Sequence, residues 1–262
     1  MNYLEAVVLG FVQGITEFFP ISSTGHLFLS QVFLGLEPNL VLELWLHVAT
    51  LFAIVVLFWK DIVKLVLGFL SLLKFRVKGE PSEGVLALKL GTASVITAVL
   101  YLLFQSFFPE VYTVPLVAVT LLVTAFFILG AEEFRRKERK DFTWFMVVVL
   151  GLIQVLALMP GISRSGVTIA CLVFLGSVRK EAARLSFLLG IPTILGALLF
   201  LVMSDDYTFE FTGPFLFSGL IAFGAALLGM KWMMKLVEGK WKWFSLYCFL
   251  LGGGLLVFTF LT

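Results

Sequence analysis

One arginine stands apart from every other basic residue in the chain. Arg164 lies within Pro160-Gly161-Ile162-Ser163-Arg164-Ser165-Gly166, deep inside an apolar stretch, whereas the other lysines and arginines fall in or beside polar connections. Burying an arginine in hydrocarbon costs about 2.5–3.5 kcal/mol or more, so it needs an anionic partner. Two partners fit: a membrane glutamate in a structural ion pair, or a bound anion. The planar guanidinium fork suits phosphate, which it binds through two parallel hydrogen bonds. A second interruption, Pro20-Ile21-Ser22-Ser23-Thr24-Gly25, has a similar make-up. A new helix is expected after each break, near His26 and near Val167, with the serines, threonine and glycine before it as N-caps. Helix N-termini present free N–H groups and the positive end of the helix dipole, which bind phosphate. Ser22, Thr24, Ser163 and Ser165 would offer hydroxyls to the same anion. Capping alone explains any one of these serines. It does not explain Arg164 among them.

Other side chains extend the chemistry. Gln13 and Glu17 are spaced i, i+4 and share a helix face, with Glu17 just before the first break. A carboxylate beside a phosphate pocket points to a divalent cation, Mg²⁺ or Ca²⁺, shared with substrate phosphates. Glu17 is equally the natural ion-pair partner of Arg164, and the two roles are compatible in empty and loaded states. His26 follows Ser23 by three residues and has the chemistry of a general base or acid. Glu43 and His47, again i, i+4, are unusual ionisable residues in an apolar segment, and no role is assigned to them.

These residues must be held at membrane depth. Of the 262 residues, 60% are apolar and 14% charged, and mean hydropathy is +1.06. Soluble domains average about 45–50% apolar and about 25% charged, so soluble, disordered and fibrous proteins are excluded. Apolar runs of about 20 residues without strand alternation exclude a β-barrel. Cys171 and Cys248 lie in apolar stretches and read as reduced thiols. Full spans are expected at roughly 40–59, 85–104, 114–131, 185–203, 215–231 and 243–262. Residues 4–36 and 142–176 are the two interrupted regions, and each has an arm too short to cross about 30 Å of hydrocarbon. Irregular backbone at that depth must be buried in protein or line a wet cavity, so both are read as re-entrant helix hairpins.

Every lysine and arginine but Arg164 falls within 60–89, 135–140, 179–184 or 231–242, and connections 105–113 and 204–214 contain none. The positive-inside rule puts the four basic segments in the cytoplasm, with Trp59, Trp144, Trp232, Trp241 and Trp243 beside them as an interfacial belt. The first hairpin then starts and ends outside, the second starts and ends inside, and both termini are extracytoplasmic. Val8-Leu9-Gly10-Phe11-Val12-Gln13 matches Val149-Leu150-Gly151-Leu152-Ile153-Gln154, and Ile21-Ser22-Ser23-Thr24-Gly25 matches Ile162-Ser163-Arg164-Ser165-Gly166, both at an offset of 141. The expected fold is an all-α polytopic membrane protein with an inverted-topology repeat, two re-entrant helix hairpins and about six full transmembrane spans. It forms a single domain, 1–262, of two pseudo-repeats, about 1–131 and about 142–262. Residues 61–83 are an unmatched insertion, lying on the cytoplasmic interface. Inverted repeats place their site near the midplane, where discontinuous helices meet.

Gln13-Gly14-Ile15-Thr16-Glu17-Phe18-Phe19-Pro20-Ile21-Ser22-Ser23-Thr24-Gly25-His26 resembles the first signature of the undecaprenyl pyrophosphate phosphatases of the bacitracin-resistance type. Pro160-Gly161-Ile162-Ser163-Arg164-Ser165-Gly166-Val167-Thr168 resembles the second, and Ser186-Phe187-Leu188-Leu189-Gly190-Ile191-Pro192 a further segment. The resemblance implies a bacterial plasma-membrane enzyme that removes the terminal phosphate of undecaprenyl pyrophosphate and so regenerates the lipid carrier of cell-wall synthesis. It implies a divalent metal associated with Gln13 and Glu17, Ser23 as nucleophile, His26 as its helper, Arg164 as phosphate clamp, and further phosphate contacts from Ser163, Ser165 and Thr168. The neutral amide of Gln13 leaves Glu17 as the main anionic ligand. An outward-facing site and frequent assembly as dimers also follow from the family. The expected partners are the isoprenoid pyrophosphate and membrane lipids, with no nucleic acid. Direct attack by water in place of Ser23 is also compatible with the sequence. So are a transporter or flippase using the same pocket, because inverted repeats are a carrier architecture, and a structural membrane protein.

Overall fold

The computed structural model describes residues 1–74, 77–109, 111–134, 141–203, 211–239 and 241–261. The basic cluster 135–140, Arg76, Lys240 and most of connection 204–214 lie outside the described residues. Among the described residues the secondary structure is helical: α1 (Tyr3–Thr16), α2 (Ser23–Phe33), α3 (Leu40–Leu57), α4 (Trp59–Leu72), α5 (Pro81–Phe104, continued by a 3-10 turn to Phe107), α6 (Val114–Glu133), α7 (Trp144–Leu156), α8 (Arg164–Phe174), α9 (Arg179–Met203), α10 (Gly213–Leu236) and α11 (Trp241–Leu261). Six of these, α3, α5, α6, α9, α10 and α11, are long and apolar enough to cross a membrane, at the six places that hydropathy marks. The chain is a multi-pass membrane protein.

The remaining apolar helices are short because the sequence stops them. Pro20 and Pro160 lack the N–H that a helix interior requires, and each disfavours helical backbone in the residue before it. α1 therefore ends at Thr16 and α7 at Leu156. After each proline a serine restarts the helix. Ser22 Oγ accepts the Gly25 N–H at 3.1 Å, and Ser163 Oγ accepts the Gly166 N–H at 3.0 Å. The two restarted helices, α2 and α8, are each 11 residues long and stand 141 residues apart.

Packing follows a paired pattern. α1 lies along α10, and α7 lies along α5; α3 packs on α10, and α9 on α5; α6 pairs with α11, and α3 with α9. Glycines make the tightest of these contacts. A Cβ on Gly10 would crowd the Ser218 carbonyl and stand 3.0 Å from Ile221 Cβ, and one on Gly151 would stand 2.8 Å from Ile96 Cβ and 2.9 Å from the Ala93 carbonyl oxygen. Without a hydrophobic drive between helices in lipid, such small residues let backbones approach closely enough for dispersion contacts.

α4 stands outside these pairs. It runs against the start of α5, where Gly68 and Gly84 bring the two backbones into contact, and its Asp61 carboxylate accepts a hydrogen bond from Arg184 Nε at 2.9 Å. Val66 and Leu73 of the same stretch are exposed. Trp59, Trp144, Trp232 and Trp243 are exposed, as belt residues should be, but Trp241 is not. Its ring is buried between α6 and Phe244, and its indole N–H donates to the Ile128 carbonyl at 3.1 Å, so it is a core residue of the α6–α11 pair. Both cysteines are free; Cys248 is buried and Cys171 half-buried.

Candidate active site

The two breaks meet in the interior. A Cβ on Gly25 would stand 3.1 Å from the Gly161 Cα, one on Gly166 3.3 Å from the Pro20 carbonyl oxygen, and Ser165 Oγ donates to the Phe19 carbonyl at 3.2 Å. α1 has 14 residues and α7 has 13, so at 1.5 Å per residue each arm is about 20 Å long and stops short of a full crossing.

The second break is held by the long helix behind it. On α6, Thr120 Oγ1 donates to the Pro160 carbonyl at 2.6 Å, while Thr124 Oγ1 donates to the Gly161 carbonyl at 3.2 Å and accepts the Ser163 N–H at 3.0 Å. Gly161 has φ +87° and lies so close to Thr120 that a side chain there would overlap its hydroxyl. In the first break the left-handed residue is Ser22, at φ +71°. A non-glycine residue in such backbone costs about 1–3 kcal/mol and persists only where its surroundings hold it. The Ser22 carbonyl accepts from the His26 N–H at 3.1 Å and from His26 Nδ1 at 2.7 Å.

Glu17 is the hub of the junction. Its side chain is 3% exposed. Oε1 accepts from Arg164 Nη2 at 2.7 Å, and Oε2 accepts from Ser23 Oγ at 2.7 Å and Gln13 Nε2 at 3.1 Å. His47 Nε2 stands 3.3 Å from Oε2, its ring fixed by a 2.8 Å contact of Nδ1 with the Glu43 carbonyl. Four segments of the chain thus converge on one carboxylate. Ser23 and Arg164 are the first residues of α2 and α8, equivalent positions in the two breaks. Arg164 lies over Gly190 of α9 and donates from Nη1 to the Ser186 carbonyl at 3.3 Å. Thr168 Oγ1 bonds the Ser186 hydroxyl at 2.7 Å and the Arg164 carbonyl at 2.6 Å. Ser22 and Thr24 hydroxyls are 3.3 Å apart, and those of Ser163 and Ser165 are 3.2 Å apart.

His26 faces away from Ser23. Its Nδ1 is on the Ser22 carbonyl, and its Nε2 is 2.7 Å from the Tyr247 hydroxyl of α11. The histidine against Glu17 is His47. Its signal in the sequence was an ionisable pair within a membrane span, which marks a residue but names no partner. Tyr247, Thr120 and Thr124 gave no such signal. Glu43 is buried and accepts from Gln31 Nε2 at 3.2 Å, while Gln31 Oε1 accepts the Asn39 N–H at 3.0 Å, so Glu43 pins the α2–α3 connection.

For a divalent cation the junction offers one carboxylate and one unpaired oxygen. Gln13 is fully buried, and its Oε1 has no hydrogen-bond partner. Among the described residues no three His, Cys, Asp or Glu side chains gather into a cage. That donor set fits a hard cation that takes most of its ligands from a bound phosphate and water.

A family model described as "Bacitracin resistance protein BacA" matches residues 6–254. A protein of Desulfatibacillum aliphaticivorans named undecaprenyl-diphosphatase is 35% identical over 275 residues, covering 99% of this chain and 100% of that protein. One of Thermosipho africanus with the same name is 37% identical over 253 residues, covering 95% and 97%. One of Shouchella clausii, undecaprenyl-diphosphatase 1, is 35% identical over 274 residues, covering 99% and 97%.

Proposed function

The chain belongs to the bacitracin resistance protein BacA family, and from that premise we propose that it hydrolyses undecaprenyl pyrophosphate to undecaprenyl phosphate and inorganic phosphate. It thereby recycles the lipid carrier of cell-wall synthesis and confers resistance to bacitracin. One observation carries the residue assignment: the Ser23 hydroxyl donates to the Glu17 carboxylate, which is ion-paired with Arg164 from the other break. A base, a nucleophile and an anion clamp lie within one hydrogen-bonded group, at the starts of two helices.

The pyrophosphate enters between the α2 and α8 N-termini while its isoprenoid tail stays in lipid. Its terminal phosphate replaces the Glu17 carboxylate on Arg164, with the hydroxyls of Ser22, Thr24, Ser163, Ser165 and Thr168 around it. Glu17, released from the guanidinium, takes the Ser23 proton. Ser23 Oγ bonds to the terminal phosphorus as the bridging P–O bond breaks, and the lipid monophosphate leaves with the bridging oxygen. Water then attacks the phosphoserine; its oxygen bonds to phosphorus as the Ser23 Oγ–P bond breaks. Ser23 recovers its proton from Glu17. His26 takes the proton of the water through the Tyr247 hydroxyl, which passes its own hydrogen to Nε2 as it accepts one. Most of the rate comes from positioning and from charge stabilisation at the transferred phosphoryl group. Gln13 Oε1 and Glu17 would hold a Mg²⁺ or Ca²⁺ ion, which when bound neutralises phosphate charge.

The same reading includes two re-entrant hairpins within an inverted repeat. It is supported by the 141-residue offset shared by α2 and α8 with their serine caps. It is supported as well by helix pairs that exchange with one another, α1 and α10 with α7 and α5, α3 and α10 with α9 and α5, and α1 and α2 with α7 and α8. The basic segments then lie in the cytoplasm, α4 rests on the cytoplasmic face of the bacterial inner membrane, both termini are outside and the pocket opens outward.

The test is phosphate release by detergent-solubilised protein, where no gradient exists, with Mg²⁺ and with chelator. Metal-dependent turnover is expected. Binding of the lipid pyrophosphate without its consumption would favour a carrier instead.

A further inference from the structure

Nothing in the signature motifs explains what holds His26. A neutral imidazole has one N–H and one lone pair, and its partners decide which nitrogen carries the hydrogen. The Ser22 carbonyl only accepts, and it is 2.7 Å from Nδ1, so Nδ1 carries the hydrogen. Nε2 is left with the lone pair, and its neighbour at 2.7 Å is the Tyr247 hydroxyl, which must donate to it. The two rings lie nearly parallel, 15° apart, with centroids separated by 5.6 Å. Tyr247 is 42% exposed, so it stands outside the packed core. A hydroxyl has a further property that fits this place. It donates to the lone pair of a neutral imidazole and accepts from the N–H of an imidazolium, so it holds the ring in the same position while a proton comes and goes.

We propose that Tyr247 is a positioning residue of the phosphatase: its hydroxyl fixes His26 in the Nδ1–H tautomer and is the group through which a proton reaches Nε2. This rests on the assignment of His26 to the hydrolytic step. The same contact serves the strained turn. His26 Nδ1 is one of two donors on the Ser22 carbonyl, so a ring that swings off Tyr247 also loosens the left-handed residue preceding the nucleophile.

The experiment uses the full chain in detergent with ¹⁵N-labelled histidine, alone and as Tyr247→Phe, which keeps the ring and removes the hydroxyl. The chain has two histidines, so one further variant, His47→Gln, assigns the spectrum. In the wild type, His26 is expected as the Nδ1–H tautomer with a hydrogen-bonded Nε2. In Tyr247→Phe the Nε2 resonance is expected to move toward that of a free lone pair. kcat should fall roughly tenfold to hundredfold, the range expected for a misplaced catalytic group, with KM for the lipid pyrophosphate within about twofold, because Tyr247 does not hold the phosphate. An Nε2–H tautomer in the wild type overturns the proposal even if the variant does not fold. So does a Tyr247→Phe protein with unchanged kcat or an unmoved Nε2 resonance. A wild type that releases no phosphate at all overturns the phosphatase reading instead, and the tautomer measurement still judges the Tyr247–His26 bond on its own.

Discussion

Gly190 touches no phosphate and offers no chemistry, yet Gly190→Ala should disable the enzyme. The residue sits on α9 directly under the Arg164 guanidinium. An added methyl would overlap Nη1 and stand 2.9 Å from Cζ and 3.0 Å from Nη2. Unstrained carbon contacts lie at about 3.5–4.0 Å, so the fork must withdraw by about 1 Å. The tip of an arginine moves easily, which makes the cost to the fold small. Losing the bond to Glu17 costs about 1.5–3 kcal/mol, and replacing a helical glycine by alanine returns about 1 kcal/mol of that. The cost to catalysis is larger, because the displaced atoms are the ones that bind the phosphoryl group. A 1 Å misplacement costs about a hundredfold in rate, equivalent to about 2.7 kcal/mol of transition-state stabilisation. The assay is kcat/KM for phosphate release from undecaprenyl pyrophosphate, set beside thermal unfolding in the same detergent. The expected result is a hundredfold loss of activity in a protein that melts within a few degrees of the wild type. Activity within twofold of wild type would show that the Arg164 fork does not need the place described for it, and the clamp would have to be sought elsewhere.

Other perturbations separate the remaining roles. Ser23→Ala should abolish turnover, while Ser22→Ala should remove the α2 cap at about 1 kcal/mol of stability and, as one of several phosphate hydroxyls, lower turnover only in part; parallel melting and activity measurements tell the two serines apart. Glu17→Gln should lower kcat by about 10²–10⁴ through loss of the base, and should also lower the melting temperature, because Arg164 is left buried beside a neutral amide. Thr124→Val should leave the Ser163 N–H and the Gly161 carbonyl unpaired at a cost of about 1–3 kcal/mol each, seen as faster hydrogen exchange at the second break.

Much of this architecture is legible in the sequence because its signals are local. A run of about 20 apolar residues marks a span wherever it packs, and Pro-Ile-Ser-Ser and Pro-Gly-Ile-Ser mark a stop followed by a capped restart. Arg164 is conspicuous for a similar reason: hydrocarbon tolerates no unpaired cation, so a buried carboxylate such as Glu17 had to be sought. What stays hidden depends on which helix lies behind which. His47 is 30 residues from Glu17 in the chain and reaches it only because α3 packs beside the first break. Tyr247 is an ordinary aromatic residue of an apolar helix until α11 brings it to His26. Trp241 shows the opposite error, since a tryptophan beside a basic segment reads as interfacial unless the helix turns it inward onto Ile128. Proximity also misled at His26. Three residues from Ser23 on one helix suggest a shared hydrogen bond, but the left-handed turn at Ser22 draws the imidazole back onto its own carbonyl and away from the serine.

The most direct test compares phosphate release from undecaprenyl pyrophosphate by purified wild type, Ser23→Ala and Arg164→Ala, each checked for folding, in Mg²⁺. Turnover by the wild type and its loss in both variants is the predicted result, since one nucleophile and one clamp from opposite breaks must act on the same phosphorus. Wild-type turnover that survives either substitution in a folded protein would contradict a site built at the junction of the two breaks.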